Sequence, residues 1–259
     1  MPAALAYRDV MRFALLSDVH ANLPALNAVL RDIEQRGNID AVFHLGDLVG
    51  YGPWPNEVAE RIAAAGIAGV AGNYDSTVAF GYDHCGCRYE DARQEQLSHI
   101  SYEWTRAHVS SRTRAFLCAL PFRIDIRPLG GHRAGPTVVL IHGNQTLNTV
   151  YVTEDRSDDF LLVMGRSLGA RAGDVVAFGH THTAWHRVIG GIHYVNTGSV
   201  GRPKDGDPRA AYIALDVTED AISPALARVE YDVESAARAI IASDLPNDFA
   251  DFLRSGGGS

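Results

Sequence analysis

The chain is expected to fold as one α/β domain whose two halves each contribute a β-sheet. Three observations predict this. Through residues 12–73, short apolar runs stopped by polar residues alternate with segments whose apolar residues recur at helical spacing. That is the rhythm of parallel βαβ units with right-handed crossovers. Beyond residue 120 further strand-like runs return, and no repeat, low-complexity tract or change of composition marks a second domain. With 259 residues, 46% of them hydrophobic, the chain can bury a sizeable core.

The elements follow in order. "RFALLSD" (12–18) reads as a buried strand, and "NLPALNAVLRDIEQRG" (22–37) as a helix with an Asn cap, an early Pro and a terminal Gly. "DAVFHLGD" (40–47) is the second strand, "NEVAERIAAAG" (56–66) the second helix and "IAGVAGN" (67–73) the third strand. Residues 74–88 then read as a loop and 89–120 as helical, together a mainly helical cover at about 74–120. "FRIDI" (122–126) and "TVVLIHG" (137–143) are strands around a Gly- and Pro-containing connection. "DDFLLVMGRSLGA" (158–170) is a helix, "DVVAFGH" (174–180) a strand, and 185–195, 210–217 and 224–232 antiparallel strands. "VESAARAIIASDL" (233–245) is a late helix. A single domain over 12–245 is expected, with "SGGGS" (255–259) as a flexible linker.

Charge and composition limit the function. A formal net charge of −8 argues against binding long nucleic acids, which needs Lys and Arg to neutralise phosphates. No run approaches the ~20 apolar residues of a membrane span, so no membrane partner is expected. The first residues lack a basic stretch followed by a long apolar one, so no signal peptide is expected. Cys85, Cys87 and Cys118 are an odd, sparse set that makes no disulfide framework, which points to a reducing cytoplasm. "HCGC" (84–87) lacks further paired ligands nearby, so a structural or lid role is expected for it.

The chemistry gathers where strands end, and open α/β sheets place their ligand sites beyond the carboxyl ends of their strands. The five runs end in Asp18 (with His20 two residues on), Asp47, Asn73, His142, and His180 followed by His182. Each alone is explained as a turn, a helix cap or a structural histidine. Five separate accidents do not explain why every end offers a metal-binding side chain.

"DVH" (18–20), "GD" (46–47), "GNYD" (72–75), "HG" (142–143) and "GHTH" (179–182) occur in the order used by calcineurin-like metallophosphoesterases, and the chain resembles that superfamily from about residue 12 to about 245. "SDVHANLPAL", "HLGDLVGYGP" and "NTGSVGRPKDGDPRAAY" are most similar to its small bacterial phosphodiesterases. The resemblance implies an α/β fold in which a two-sheet β-sandwich is flanked by helices. It also implies that Asp18, His20, Asp47 and His182 hold one divalent cation, and Asp47, Asn73, His142 and His180 a second, with Asp47 bridging. Two such ions acidify a shared water and clamp both oxygens of an in-line displacement at phosphorus. The nitrogen and oxygen donors suit transition metals: manganese is favoured, with iron, zinc and nickel also fitting.

Asn73 then becomes a neutral ligand that keeps the second ion electrophilic. Tyr74 departs from the superfamily, most of whose members carry His there. As a catalytic residue it would donate a hydrogen bond without supplying a cation, since a phenol titrates near ~10; the other reading is a packed aromatic. Asn22 either touches substrate or only caps its helix. Arg202 either pairs with substrate phosphate or is a solvated surface charge. His44, His99, His108 and His186 are assigned to core or surface. The expected activity is dinuclear-metal-dependent hydrolysis of a small, nucleotide-like or other organic phosphodiester. A phosphomonoesterase with the same site, or a protein-binding scaffold that has kept the fold, as in the related retromer subunit, are the alternatives. Oligomeric state is left open.

Overall fold

Strand β1 (Met11–Leu16) divides its side chains by the period of two that a strand imposes. Met11, Phe13 and Leu15 enter one apolar cluster, while Ala14 and Leu16 enter another on the opposite face. The computed structural model, which describes residues 10–89, 91–127 and 135–257, repeats this division in both halves of the chain.

β1 is the centre of a five-stranded mixed sheet ordered β10-β9-β1-β2-β3. β2 (Ala41–His44) and β3 (Ala68–Gly69) continue it in parallel, and β9 (Ala210–Val217) and β10 (Ile222–Val229) add an antiparallel edge. The second sheet is ordered β4-β5-β6-β8-β7, from β4 (Ile124–Ile126), β5 (Val138–Leu140), β6 (Val175–Phe178), β7 (Trp185–Ile189) and β8 (Ile192–Asn196). Its parallel centre is β5, β6 and β8. Phe13, Leu15 and Ile213 of one sheet meet Val138, Leu140 and Ala177 of the other in the shared core. Their alternate neighbours pack outward on helices: Ala14, Leu16 and Tyr212 with α1 (Leu23–Arg36) and α2 (Pro55–Ala64), Val139 and Val176 with α6 (Asp158–Ser167). The two-sheet sandwich flanked by helices is therefore the observed fold.

Four local expectations need correction. The run 67–73 pairs only through Ala68 and Gly69, and Asn73 opens a helix, α3 (Asn73–Phe80), instead of ending a strand. The Asp75 carboxylate accepts the Gly72 N–H at 3.0 Å and so closes the first turn from within, a capping device. The helical cover is divided into α4 (Ala92–His108) and α5 (Ser111–Cys118), because Ser110 caps the second through the Thr113 N–H at 3.0 Å. Beyond α7 (Val233–Ile241) comes a further helix, α8 (Asp248–Ser255), so the expected linker is not a linker where it is described. Gly256 terminates α8 in the left-handed conformation (φ 63°) and its carbonyl accepts the Gly206 N–H at 3.0 Å; residues 258–259 lie outside the described residues, as does most of the connection before residue 137.

Cys85 and Cys87 are joined by a disulfide, and Cys118 is free. The cysteine count therefore gives no ground for placing the chain in a reducing compartment. Among the described residues no helix is long and apolar enough to cross a membrane.

Candidate metal centre

β1 and β2 lie side by side in one sheet, β5 and β6 in the other, and the loops leaving their carboxyl ends meet. Asp18 N–H donates to the Gly46 carbonyl at 2.9 Å and His20 N–H to that of Asp47 at 2.9 Å. His180 N–H crosses between the sheets to Asp18 Oδ2 at 3.0 Å. Such approaches leave no room for side chains at the crossing points: a β-carbon on Gly72 would collide with Asp47, and one on Gly179 with Ser17 and Asp18.

The backbone at the site is unusual. Asp18, His20, Asp47, His180 and His182 all take positive φ, between 47° and 68°. Non-glycine residues enter that region at a cost of order 1–3 kcal/mol each and persist there where the surroundings over-determine them. Here the sharp turns fall at five residues of three separate loops, all of them buried in one space.

Two groups result, Asp18 with His20 and His182, and Asp47 with His142 and His180, the ligand atoms of each within 4.8 Å of one another. In the first, His20 Nε2 lies 3.1 Å from His182 Nε2, which lies 3.3 Å from Asp18 Oδ1. In the second, His142 Nε2 lies 3.2 Å from His180 Nδ1 and 3.1 Å from Asn73 Oδ1. Asp47 Oδ2 stands between them, 3.7 Å from His20 Nε2 and 3.6 Å from His142 Nε2. All seven residues are buried, so the motif brings together every side chain expected as a ligand.

Partners behind the site fix the tautomers. His20 Nδ1 donates to the Val49 carbonyl at 3.0 Å, His142 Nδ1 to Leu45 at 2.7 Å and His182 Nδ1 to Arg202 at 2.6 Å. A carbonyl can only accept, so each neutral ring presents a lone pair at Nε2, toward the cluster. Asn73 is held likewise: its Nδ2 donates to the Cys85 carbonyl at 3.0 Å, which leaves Oδ1 facing His142.

The charges are unbalanced by protein alone. Burial, then the approach of His182, holds His20 well below the usual imidazole range, and burial with His142 does the same to His180. Burial drives Asp47 well above the carboxylate range, and the neighbouring Asp18 and Asp75 charges push the same way. Burial also works to raise Asp18, but His182 and the other imidazoles outweigh it and hold the group low. Asp18 Oδ1 is buried with no hydrogen-bond partner. Facing lone pairs, a carboxylate pair that resists ionising together and an orphaned acceptor are what a site built for cations presents. The donor set therefore fits divalent transition metals.

The remaining candidates fare differently. Tyr74 is 1% exposed; its hydroxyl lies 3.4 Å from both Ser98 and Ser101 of α4, and its ring packs edge-on to His20 with centroids 5.7 Å apart. Of its two expected readings, this position of the hydroxyl on α4 suits the packed aromatic, and the residue also lines the cleft beside the ligand groups. Asn22 accepts from Ala25 N at 3.2 Å and donates to the Gly201 carbonyl at 3.0 Å and to Tyr231 at 3.1 Å, so its amide fastens the loops and caps α1. Arg202 lines a small cleft together with His20, Asp47, His180 and His182. Tyr51 and Tyr151, absent from the expected set, line it too. Tyr51 follows Asp47 in the same loop, within the quoted "HLGDLVGYGP"; Tyr151 lies in an irregular segment that carries no motif.

The calcineurin-like phosphoesterase superfamily domain matches residues 11–220 of the chain. An uncharacterized protein of Methanocaldococcus jannaschii is 32% identical over 250 residues, covering 90% of this chain and 93% of that one. The phosphodiesterase YfcE of Escherichia coli is 28% identical over 80% of this chain and 88% of its own length. Among solved structures, a metallophosphoesterase from Sphaerobacter thermophilus superposes with a TM-score of 0.71 at 26% identity, over 95% of this chain and 99% of that one. A hypothetical protein from Pyrococcus horikoshii shares the fold, with a TM-score of 0.80 at 20% identity over 96% of this chain and all of that one (100%).

Proposed function

The chain belongs to the calcineurin-like phosphoesterase superfamily, and from that premise we propose that it hydrolyses a small phosphodiester using two divalent cations. The observation that carries this reading is the position of Asp47 Oδ2, shared between two buried ligand groups. Asp18, His20, Asp47 and His182 would hold one cation, and Asp47, Asn73, His142 and His180 the other. Cations in those places supply an acidified water and neutralise charge that builds on phosphoryl oxygens. Manganese is the ion proposed to serve first, with iron, zinc and nickel compatible with the same donors.

The chain's own residues do the rest. The carbonyls of Val49, Leu45 and Arg202 hold three imidazoles in the tautomer whose Nε2 is free to bind. Asn73 contributes an oxygen without adding negative charge beside Asp47. Tyr51, Tyr74 and Tyr151 form an aromatic rim that limits water at the reacting phosphorus. Arg202, which lines the same cleft beside a second cationic residue, Lys204, is the side chain that would meet the substrate's phosphoryl oxygens. Tyr74, with its hydroxyl on α4, supplies no proton to the leaving group, so esters with good leaving groups are favoured.

The diester preference rests on the likeness to the phosphodiesterase YfcE and on Tyr74 standing where a histidine would supply charge. The test is hydrolysis of an aryl phosphodiester and of its matching monoester by chelator-treated protein, before and after Mn²⁺ is restored. Metal-dependent turnover of the diester, lost in Asp47→Ala, is the expected result. A preference for the monoester would replace the substrate class, and no turnover of either ester with Mn²⁺, Fe²⁺, Zn²⁺ or Ni²⁺ would overturn the hydrolase reading.

A further inference from the structure

The match to the superfamily domain stops at residue 220, yet the chain continues into α7 and α8, which pack on each other and against Tyr51, Trp54 and Trp104. α8 also touches the candidate site. The guanidinium carbon of Arg202 lies 3.7 Å from the ring centroid of Phe252 and 4.1 Å from that of Tyr51, so the planar group is held between two aromatic rings. Tyr51 comes from the loop of Asp47, Phe252 from α8. The loop that carries Arg202 is bound to the same helix a second time, where Gly206 N–H meets the Gly256 carbonyl at 3.0 Å.

A guanidinium whose faces are covered can donate only from its edges. Among the described residues, none of the Arg202 side-chain nitrogens makes a hydrogen bond or ion pair with a carboxylate, although the side chain lines the cleft that holds His20, Asp47 and His182. A half-buried cation that lines a cleft of metal-ligating side chains and has no carboxylate partner among the described residues is suited to receive an anion from outside.

We infer that Phe252, on the C-terminal helix beyond the superfamily domain, is a positioning residue that clamps Arg202 against Tyr51 so that its edge meets a phosphoryl oxygen of the substrate. The inference rests on the proposed phosphoester reading. It makes α8 part of the site, and it makes ground-state recognition of the phosphate depend on an aromatic side chain that touches neither the ligand groups nor the reacting atoms. The effect belongs in KM, because the contact is present before bond cleavage as well as during it.

The experiment compares Phe252→Leu, Phe252→Tyr, Arg202→Ala and the double variant Phe252→Leu/Arg202→Ala in the Mn²⁺-loaded protein. Two quantities are read: KM and kcat for an aryl phosphodiester, and binding of inorganic phosphate by calorimetry. Leu keeps the apolar volume that α8 packs, and thermal melting verifies that each variant is folded. A desolvated cation–π contact worth ~1–2 kcal/mol predicts that Phe252→Leu raises KM and weakens phosphate binding together by about five- to thirtyfold, with kcat within about twofold. Phe252→Tyr is expected to restore both, and Phe252→Leu is expected to add nothing once Arg202 is alanine. Unchanged phosphate affinity in a folded Phe252→Leu, or full additivity with Arg202→Ala, overturns the inference and leaves the hydrolase reading intact. Should the parent protein bind phosphate but hydrolyse neither ester, the calorimetric comparison alone decides the role of Phe252, while the hydrolase reading fails separately.

Discussion

His20 Nε2 and His182 Nε2 lie 3.1 Å apart in the buried interior, and each ring's other nitrogen is already committed to a carbonyl. Two lone pairs therefore face one another with Asp18 Oδ1 beside them, 3.3 Å from His182 Nε2. Packing alone gives no reason for that arrangement, whereas a shared cation does.

Removing divalent ions is accordingly expected to destabilise the fold. A ligand at a hundred times its dissociation constant stabilises by about 2.7 kcal/mol, and in a domain of this size each kcal/mol moves the melting temperature by roughly 2–4 °C. Mn²⁺ added to chelator-treated protein should raise the melting temperature by about 5–11 °C per site filled. Ca²⁺, which prefers oxygen ligands, should do much less at the same concentration. Equal responses to the two ions would contradict the donor set described.

Asp47 is the residue on which both groups depend. Losing a partner behind a metal ligand commonly costs 10–100-fold, so losing a ligand shared by two ions should cost at least ~100-fold in kcat/KM. Asp47→Asn keeps an oxygen to accept the Tyr74 N–H, a 2.9 Å bond in the parent, and so separates loss of charge from loss of the loop. Steady-state assays should find both Asp47→Asn and Asp47→Ala inactive, with Asp47→Asn melting higher.

The positive φ of His182 (62°) makes a prediction about stability alone. His182→Ala and His182→Gly remove the same imidazole and the same bond to the Arg202 carbonyl. Alanine still bears the left-handed strain, of order 1–2 kcal/mol, while glycine gives back part of the difference through its freer unfolded chain. Denaturant unfolding of the metal-free variants should find His182→Gly more stable by about 0.5–1 kcal/mol. Alanine at least as stable as glycine would refute the strain.

His44 supplies the pH dependence. The ring is fully buried, both its nitrogens lack partners, and burial pushes it down to about 3. The unfolded chain takes up a proton near ~6.5 that the folded chain refuses, so stability is complete above that pH and falls as pH drops toward 3. The slope reaches ~1.4 kcal/mol per pH unit, which amounts to about 2–3 kcal/mol between pH 7 and 4.5. Urea unfolding of His44→Leu should lose that much less over the interval than the parent. Parallel losses would show that His44 titrates normally.

The βαβ rhythm and the five candidate ligand motifs were legible in the chain because they are local: period-two burial, helix caps and a polar residue where a strand-like run stops are set by neighbours in sequence. Asn73 shows the limit. Its identity marked it as a ligand, but its place in a helix depended on Asp75 reaching back to Gly72, a choice made by three residues against the apolar run before them. The end of the chain shows another, since the glycines at 256 and 257 read as flexible until Gly206 and Phe252 pack against them.

Residue types and their spacing by themselves determined the α/β class, the family and which side chains converge. Only the tertiary structure decided how the rest serve them: Tyr74 turned to Ser98 and Ser101, Asn22 bound into its cap, and Arg202 pressed between Tyr51 and Phe252. The physical reason is distance along the chain. A cap or a strand end is settled within a few residues, whereas a guanidinium held by rings 151 positions before it and 50 after it exists only once the sheets and α8 have packed.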